Sequence, residues 1–242
     1  MTVPRPPDAG AGPPGLHPAG KSESLFERFP WLYAICRDHL FRDDTELLAR
    51  ALWPARVPPD ACELLEVGCG PGFYARRLAG TFERLRVTGI DRSEQQLHRA
   101  RTLAAASRLD NCFFEEGDVR ALPVPAASFD AVVASRLFII LPEREQALAE
   151  MHRVLKPGGR CFVAEPRSAL RATVPLRAMW LLAGVSALLR GRPAPLAYRE
   201  PGRVDVMTAG EFDALIESQP WTRAPRWHDV WYQYALCEKD AG

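Results

Sequence analysis

The chain has 242 residues, 47% of them hydrophobic and 25% charged, with a formal net charge of +1; that is enough apolar material for one sizeable core with small additions at either end. The even charge balance gives no electrostatic case for nucleic acid, and the arginines frequent between Arg167 and Arg203 lack the interleaved aromatics of a nucleic-acid platform. Six cysteines, at 36, 62, 69, 112, 161 and 237, form no C-x-x-C pair and no His/Cys ligand spacing, which argues against zinc or a disulfide framework.

Residues 1–23 are rich in Pro, Gly and Ala and poor in large apolar side chains, so they read as a disordered tail. They lack the continuous apolar core of a secretory signal, which, with free cysteines, points to the cytoplasm. A single domain is expected over 24–242, opening with a helical cover at 24–58 that is interrupted at Phe29-Pro30. In a core at 59–166, apolar strands end near Val67, Asp91, Glu116 and Ser135, and helices follow them near 73–79, 94–106, a short link at 119–122, and 143–155. Pro157-Gly158-Gly159 should stop the last helix before a fifth strand reaching Glu165. Residues 167–207 read as a helical insert, and 208–242 as a helix at 209–217 capped by Thr208, then strands near 226–230 and 232–237. The most apolar run, 178–189, is too short to span the roughly 30 Å core of a bilayer as a helix. Flanked by Arg177 and Arg190, it allows a transient contact with a membrane surface.

The informative stretch is Gly68-Cys69-Gly70-Pro71-Gly72, between the first strand and the helix at Phe73. Its glycines permit positive φ and leave no Cβ in the way of a ligand. The helix start turns amides and a positive dipole end towards the crevice, as a carboxylate or phosphate requires. The dinucleotide fingerprint G-x-G-x-x-G needs its third glycine where Phe73 stands, and no Tyr-x-x-x-Lys pair is present, so a nicotinamide cofactor is disfavoured.

The run Glu66-Val67-Gly68-Cys69-Gly70-Pro71-Gly72 resembles the class I S-adenosylmethionine-dependent methyltransferases, and within them the type 11-like group of small-molecule and lipid-precursor enzymes. Val87–Asp91, Phe113–Val119, Phe129–Ser135 and Val154–Val163 match the family at the expected order and spacing. The resemblance implies an α/β, Rossmann-like, doubly wound sheet of seven strands, mostly parallel with one antiparallel strand, plus helical cover elements. It implies S-adenosylmethionine as cofactor, S-adenosylhomocysteine as product, and no metal.

On that resemblance the donor site comprises the loop residues Gly68, Cys69, Gly70 and Gly72, with Glu66 orienting the loop through buried hydrogen bonds. Asp91 would accept ribose hydroxyls, with Arg92 and Gln96 beside it. Asp118 would accept the adenine amino group, and Val119 would offer backbone contacts and an apolar surface. Tyr33 and Tyr74 would line the donor site, and Ser135 and Arg136 would border the methionine portion and the acceptor entrance. The plainer reading of Asp91 and Asp118 is as helix N-caps.

In the family, the region before the first strand and the insert after the fifth cover the methyl face. Here both are apolar and aromatic, as in Phe26, Phe29, Trp31, Met179 and Trp180, which points to a small, apolar, lipid-like or natural-product acceptor. The competing reading is that these stripes only pack the added helices onto the sheet. Transfer would be an in-line displacement aided mainly by positioning. No base stands out: Tyr33, His39 and Arg136 are the candidates, while His98 and His152 lie on helices and His228 near the last strands. Neither an Asn-Pro-Pro-Tyr signature after the fourth strand nor an acidic metal set is present, so amino methylation of nucleic acids and catechol-type chemistry lose weight. A small-molecule acceptor is the expected partner of a monomer or homodimer. The alternative function is a non-catalytic S-adenosylmethionine-binding regulator or partner subunit, because a donor site does not prove an acceptor site.

Overall fold

The computed structural model describes residues 42–168 and 205–242. The expected tail, most of the N-terminal cover with Tyr33 and His39, and nearly all of the helical insert expected at 167–207 lie outside these residues. In chain order the elements are α1 (Thr45–Leu52), β1 (Glu63–Val67), α2 (Phe73–Thr81), β2 (Arg86–Asp91), α3 (Glu94–Ala106), β3 (Cys112–Glu116), β4 (Phe129–Ser135), α4 (Arg144–Val154), β5 (Leu155–Pro166), α5 (Ala209–Glu217), β6 (Arg226–His228) and β7 (Tyr232–Glu238). They build one seven-stranded sheet in the order β3-β2-β1-β4-β5-β7-β6. Neighbours from β3 to β5 pair in parallel, and β7 runs antiparallel to both β5 and β6. The strand order reverses between β1 and β4, and a doubly wound sheet opens a ligand crevice at that switch point.

The central strands are apolar on both faces because helices cover both. Leu64, Val87, Val133, Phe162 and Tyr234 face a core shared with α1, α2 and α3, whereas Leu65, Val67, Val132, Ala134 and Val163 face a core shared with α4 and α5. Each such side chain, fully buried, contributes roughly 1.5–3 kcal/mol. On α3 the buried residues Gln96, Leu97, Ala100 and Ala104 form one helical stripe. Thr208 caps α5 in a reciprocal capping box with Glu211, as the sequence leads one to expect.

Two local expectations are corrected. Residues 119–122 form a turn closed by an Asp118–Ala121 bridge, with the Leu122 amide on Glu150 at 2.7 Å, and not a helix. The segment is too short to repay helix nucleation. Pro157-Gly158-Gly159 does not separate helix from strand either: β5 begins at Leu155, directly after α4. The pairing with β4 shifts register between Phe129 and Ala131, which makes room for Gly158 at φ +74°. The Gly158 amide then donates to Asp240 at 2.9 Å. No helix among the described residues is long and apolar enough to cross a membrane.

A network of polar side chains ties the first described residues to the β6–β7 hairpin. Arg42 pairs with Asp44 at 2.6 Å and with Asp229, and the Tyr234 hydroxyl donates to Asp229 at 3.1 Å and lies 3.5 Å from Asp44. Burial raises the Tyr234 phenol well above its ordinary range, so it stays a hydrogen-bond donor.

Candidate donor and acceptor sites

The loop leaving β1 turns on three left-handed glycines, Gly68, Gly70 and Gly72, at φ +62°, +52° and +70°. At Gly72 the constraint is also steric, since a Cβ there would stand 2.5 Å from two atoms of the Phe114 ring. A Cβ on Gly68 would stand 2.8 Å from Leu137, a residue of the loop after β4, so this distant segment roofs the glycine turn. Glu66, 5% exposed, accepts the Ala75 amide at 2.7 Å and so spans from β1 to the first turn of α2. Cys69 is buried, donates its amide to Ile90 at 3.1 Å, and has its thiol pushed well up by burial, so it meets the crevice through its backbone.

Asp91 closes the other side of this loop. Its Oδ2 accepts the Gly70 amide at 2.8 Å and its Oδ1 accepts the Ser93 amide at 2.9 Å. Ser93, and not Asp91, is the N-cap residue of α3. Each carboxylate oxygen has two acceptor sites and uses one here, so a pair of vicinal hydroxyls fits the remaining capacity. Arg92 is exposed beside it, Gln96 is buried on α3, and Tyr74 is 3% exposed with its ring edge-on to Phe73. Tyr74 thus belongs to the core beneath the loop.

Asp118 forms a tight turn with Arg120, accepting its amide at 2.9 Å and its guanidinium at 2.6 and 3.0 Å. These bonds hold its carboxyl down at about 2. No helix follows, so Asp118 is not an N-cap. Arg120 also reaches Glu143 at 3.3 Å, joining the β3 loop to the start of α4, and Val119 packs into the core.

On the other side of the switch point β4 ends at Ser135, and Arg136 adopts φ +57°, a conformation costing a residue with a side chain about 1–2 kcal/mol. Its amide donates to Ala164 at 2.9 Å and its guanidinium to the Tyr232 hydroxyl at 3.1 Å. Tyr232 and Glu165, both in this neighbourhood, were missed by sequence reasoning. A lone carboxylate in the run Cys161-Phe162-Val163-Ala164-Glu165 was the available signal. Of the histidines, His98 is exposed on α3, His152 packs edge-on to Trp221, and His228 contacts Arg167 at 2.8 Å. Among the described residues no group of His, Cys, Asp and Glu could hold a metal ion.

The open acceptor capacity of Asp91 thus stands beside a left-handed glycine turn at the switch point of the sheet. Residues 64–159 match the family model of a methyltransferase domain. The chain is 37% identical to the demethylmenaquinone methyltransferase of Deinococcus radiodurans over 156 residues, 60% of this chain and 64% of that relative. The match thus spans less than two thirds of that protein's length. It is 29% identical to the trans-aconitate 2-methyltransferase of Variovorax paradoxus over 220 residues, 88% of this chain and 75% of that one. A solved structure described as a putative S-adenosylmethionine-dependent methyltransferase from Methanococcus maripaludis shares the fold. Its TM-score is 0.66 at 16% identity, covering 93% of this chain and 98% of that one.

Proposed function

We propose, from the match of residues 64–159 to a methyltransferase domain and the likeness to the demethylmenaquinone methyltransferase, that this chain is a class I S-adenosylmethionine-dependent methyltransferase, an enzyme transferring a methyl group from S-adenosylmethionine to a small, apolar or natural-product acceptor. The observation that carries the donor half of this reading is the bond between Asp91 and the Gly70 amide, which sets a ribose-type acceptor against a left-handed glycine turn. S-adenosylmethionine, when bound, supplies an activated methyl on a sulfonium and leaves as S-adenosylhomocysteine.

The chain's own contribution is binding and alignment. Asp91 would hold the ribose hydroxyls, and Asp118, kept ionised by Arg120, would accept from the adenine amino group. Gly68 and Gly70 would admit the arm that carries the sulfur, while Glu66 keeps α2 in register with the loop. Ser135, Arg136 and Leu137 would border the methyl on the acceptor side. Holding two reactants in line is worth roughly 7–11 kcal/mol in well-oriented cases, so this constellation needs no strong base unless the acceptor is a weak acid. An apolar acceptor is supported by the demethylmenaquinone relative, and the trans-aconitate relative makes a carboxylate acceptor the comparison to include.

The test begins with calorimetric titration of the protein with S-adenosylmethionine, S-adenosylhomocysteine and NAD. Binding of the first two and not the third is expected, and binding of NAD alone would overturn the donor assignment. Label transfer from methyl-labelled S-adenosylmethionine to a panel holding a demethylmenaquinol and trans-aconitate then follows. Transfer to the quinol is expected, and transfer to trans-aconitate alone would replace the apolar acceptor by an anionic one.

A further inference from the structure

Glu165 is the penultimate residue of β5, 0% exposed, at the end of an otherwise apolar run. A leucine of similar volume would fill the same space without the several kcal/mol that burying a carboxylate costs, so its presence needs a compensating contact. The contact is main-chain: Oε1 accepts the Phe138 amide at 3.0 Å, and the neighbouring amides of Leu137 and Ile139 also favour the charged form. These amides belong to the loop that β4 gives up when Arg136 turns left-handed, so no strand partner serves them.

The surroundings are tied in the same way. Directly opposite Glu165 on β7 stands Gln233, also buried, whose side-chain amide donates to the Met207 carbonyl at 3.1 Å. Arg144 donates to the Phe138 carbonyl at 2.9 Å and to Asp205, and the Asp205 amide donates to Ile139 at 3.3 Å. Two facing polar side chains on β5 and β7 thus anchor the two segments, 136–140 and 205–207, that flank the acceptor side. The second oxygen of Glu165 is buried without a hydrogen-bond partner, and the positive charge of Arg136 favours the ionised form of the carboxyl.

We propose that Glu165 is a positioning residue: by binding the Phe138 main-chain amide it fixes the post-β4 loop, and with it the Arg136–Tyr232 contact, at the mouth of the acceptor site. The acceptor side of this statement rests on the methyltransferase reading, whereas the loop anchorage does not.

The experiment is amide hydrogen exchange of residues 137–139 in the whole, cofactor-free protein, with S-adenosylhomocysteine binding as the check on the donor site. In Glu165→Leu, exchange at these amides should accelerate about tenfold, the scale of one lost hydrogen bond of about 1.4 kcal/mol. S-adenosylhomocysteine should still bind, because the bonds of Asp91 and Glu66 are untouched. Glu165→Gln, which keeps an acceptor oxygen, should restore slow exchange, a rescue that a mere loss of packing would not show. Unchanged exchange in the leucine variant, or no rescue by glutamine, overturns the proposal. Should the leucine variant not fold, Glu165→Asp, one methylene short of the Phe138 amide, reads the same amides, and wild-type exchange there also overturns it. Failure of the wild-type protein to bind S-adenosylhomocysteine would sink the methyltransferase reading instead, and leave the anchorage intact.

Discussion

Between β1 and β3 the binding surface is made by leaving side chains out, while between β4 and β7 it is made by burying polar ones. On the first side, left-handed glycines and a close Phe114 ring shape the turn, and Asp91 and Glu66 fasten it through backbone amides. On the second, Glu165, Gln233 and Tyr234 are buried and each reaches a different segment. A turn built from absent Cβ atoms fails by collision, whereas one built from buried acceptors fails by losing a partner or by having to hold a buried charge. The two sides should therefore respond to different perturbations.

The largest effect should come from Gly72→Ala. The new methyl meets Phe114 at 2.5 Å in a left-handed conformation, and the two penalties together suggest about 3 kcal/mol of lost stability, read as a lower urea midpoint. Next comes a pH effect confined to the other side. Burial pushes the Glu165 carboxyl from an ordinary 4.5 up to about 7, so the folded state holds its proton more tightly than the unfolded chain. Wild type should then lose roughly 3 kcal/mol relative to Glu165→Gln as pH rises from 4.5 through 7, measured as the difference between two denaturation series. A difference that grows in the opposite direction would contradict the burial argument.

Asp91→Ala should weaken S-adenosylhomocysteine binding about 10- to 100-fold in calorimetry, because the ribose acceptors and the Gly70 bond go together. Tyr234→Phe should cost about 1 kcal/mol of thermal stability by removing the donor to Asp229. Smallest is Arg120→Ala: its pairs with Asp118 and Glu143 are exposed, so the melting temperature should hold. The Asp118 carboxyl should meanwhile rise from about 2 towards its ordinary value in an NMR titration.

The donor side was the more legible in sequence because its determinants are local. Gly68, Gly70 and Gly72 stand within five residues of one another, Asp91 ends an apolar run, and Thr208 with Glu211 spells its capping box in four residues. The acceptor side depends on contacts across the fold. Nothing near Tyr232 announces that its hydroxyl meets Arg136, and Leu137 roofs Gly68 only because β4 and β1 are neighbours. Pro157 and Gly158 carry the chemistry of a helix stop and predict one, yet the Phe129–Leu155 and Ala131–Arg160 pairs on either side of them, with the Gly158 amide on Asp240, hold them within β5. After Asp118 a turn with Arg120 stands in place of the expected short helix, because a contact between neighbouring side chains outweighs the helical pattern there.

The reversed direction of β7 has a consequence for how the chain is made. One edge of β5 is closed by β4, which precedes it, but the other is closed by Tyr232–Glu238, which follows it only after residues 167–231. A nascent chain on the ribosome must therefore carry Cys161, Phe162 and Val163 with one strand edge unpaired until residues 232–238 have been made. An open, apolar strand edge of that kind invites pairing with a neighbouring chain. Slow decoding or early termination between residues 166 and 232 should show up as aggregation during synthesis.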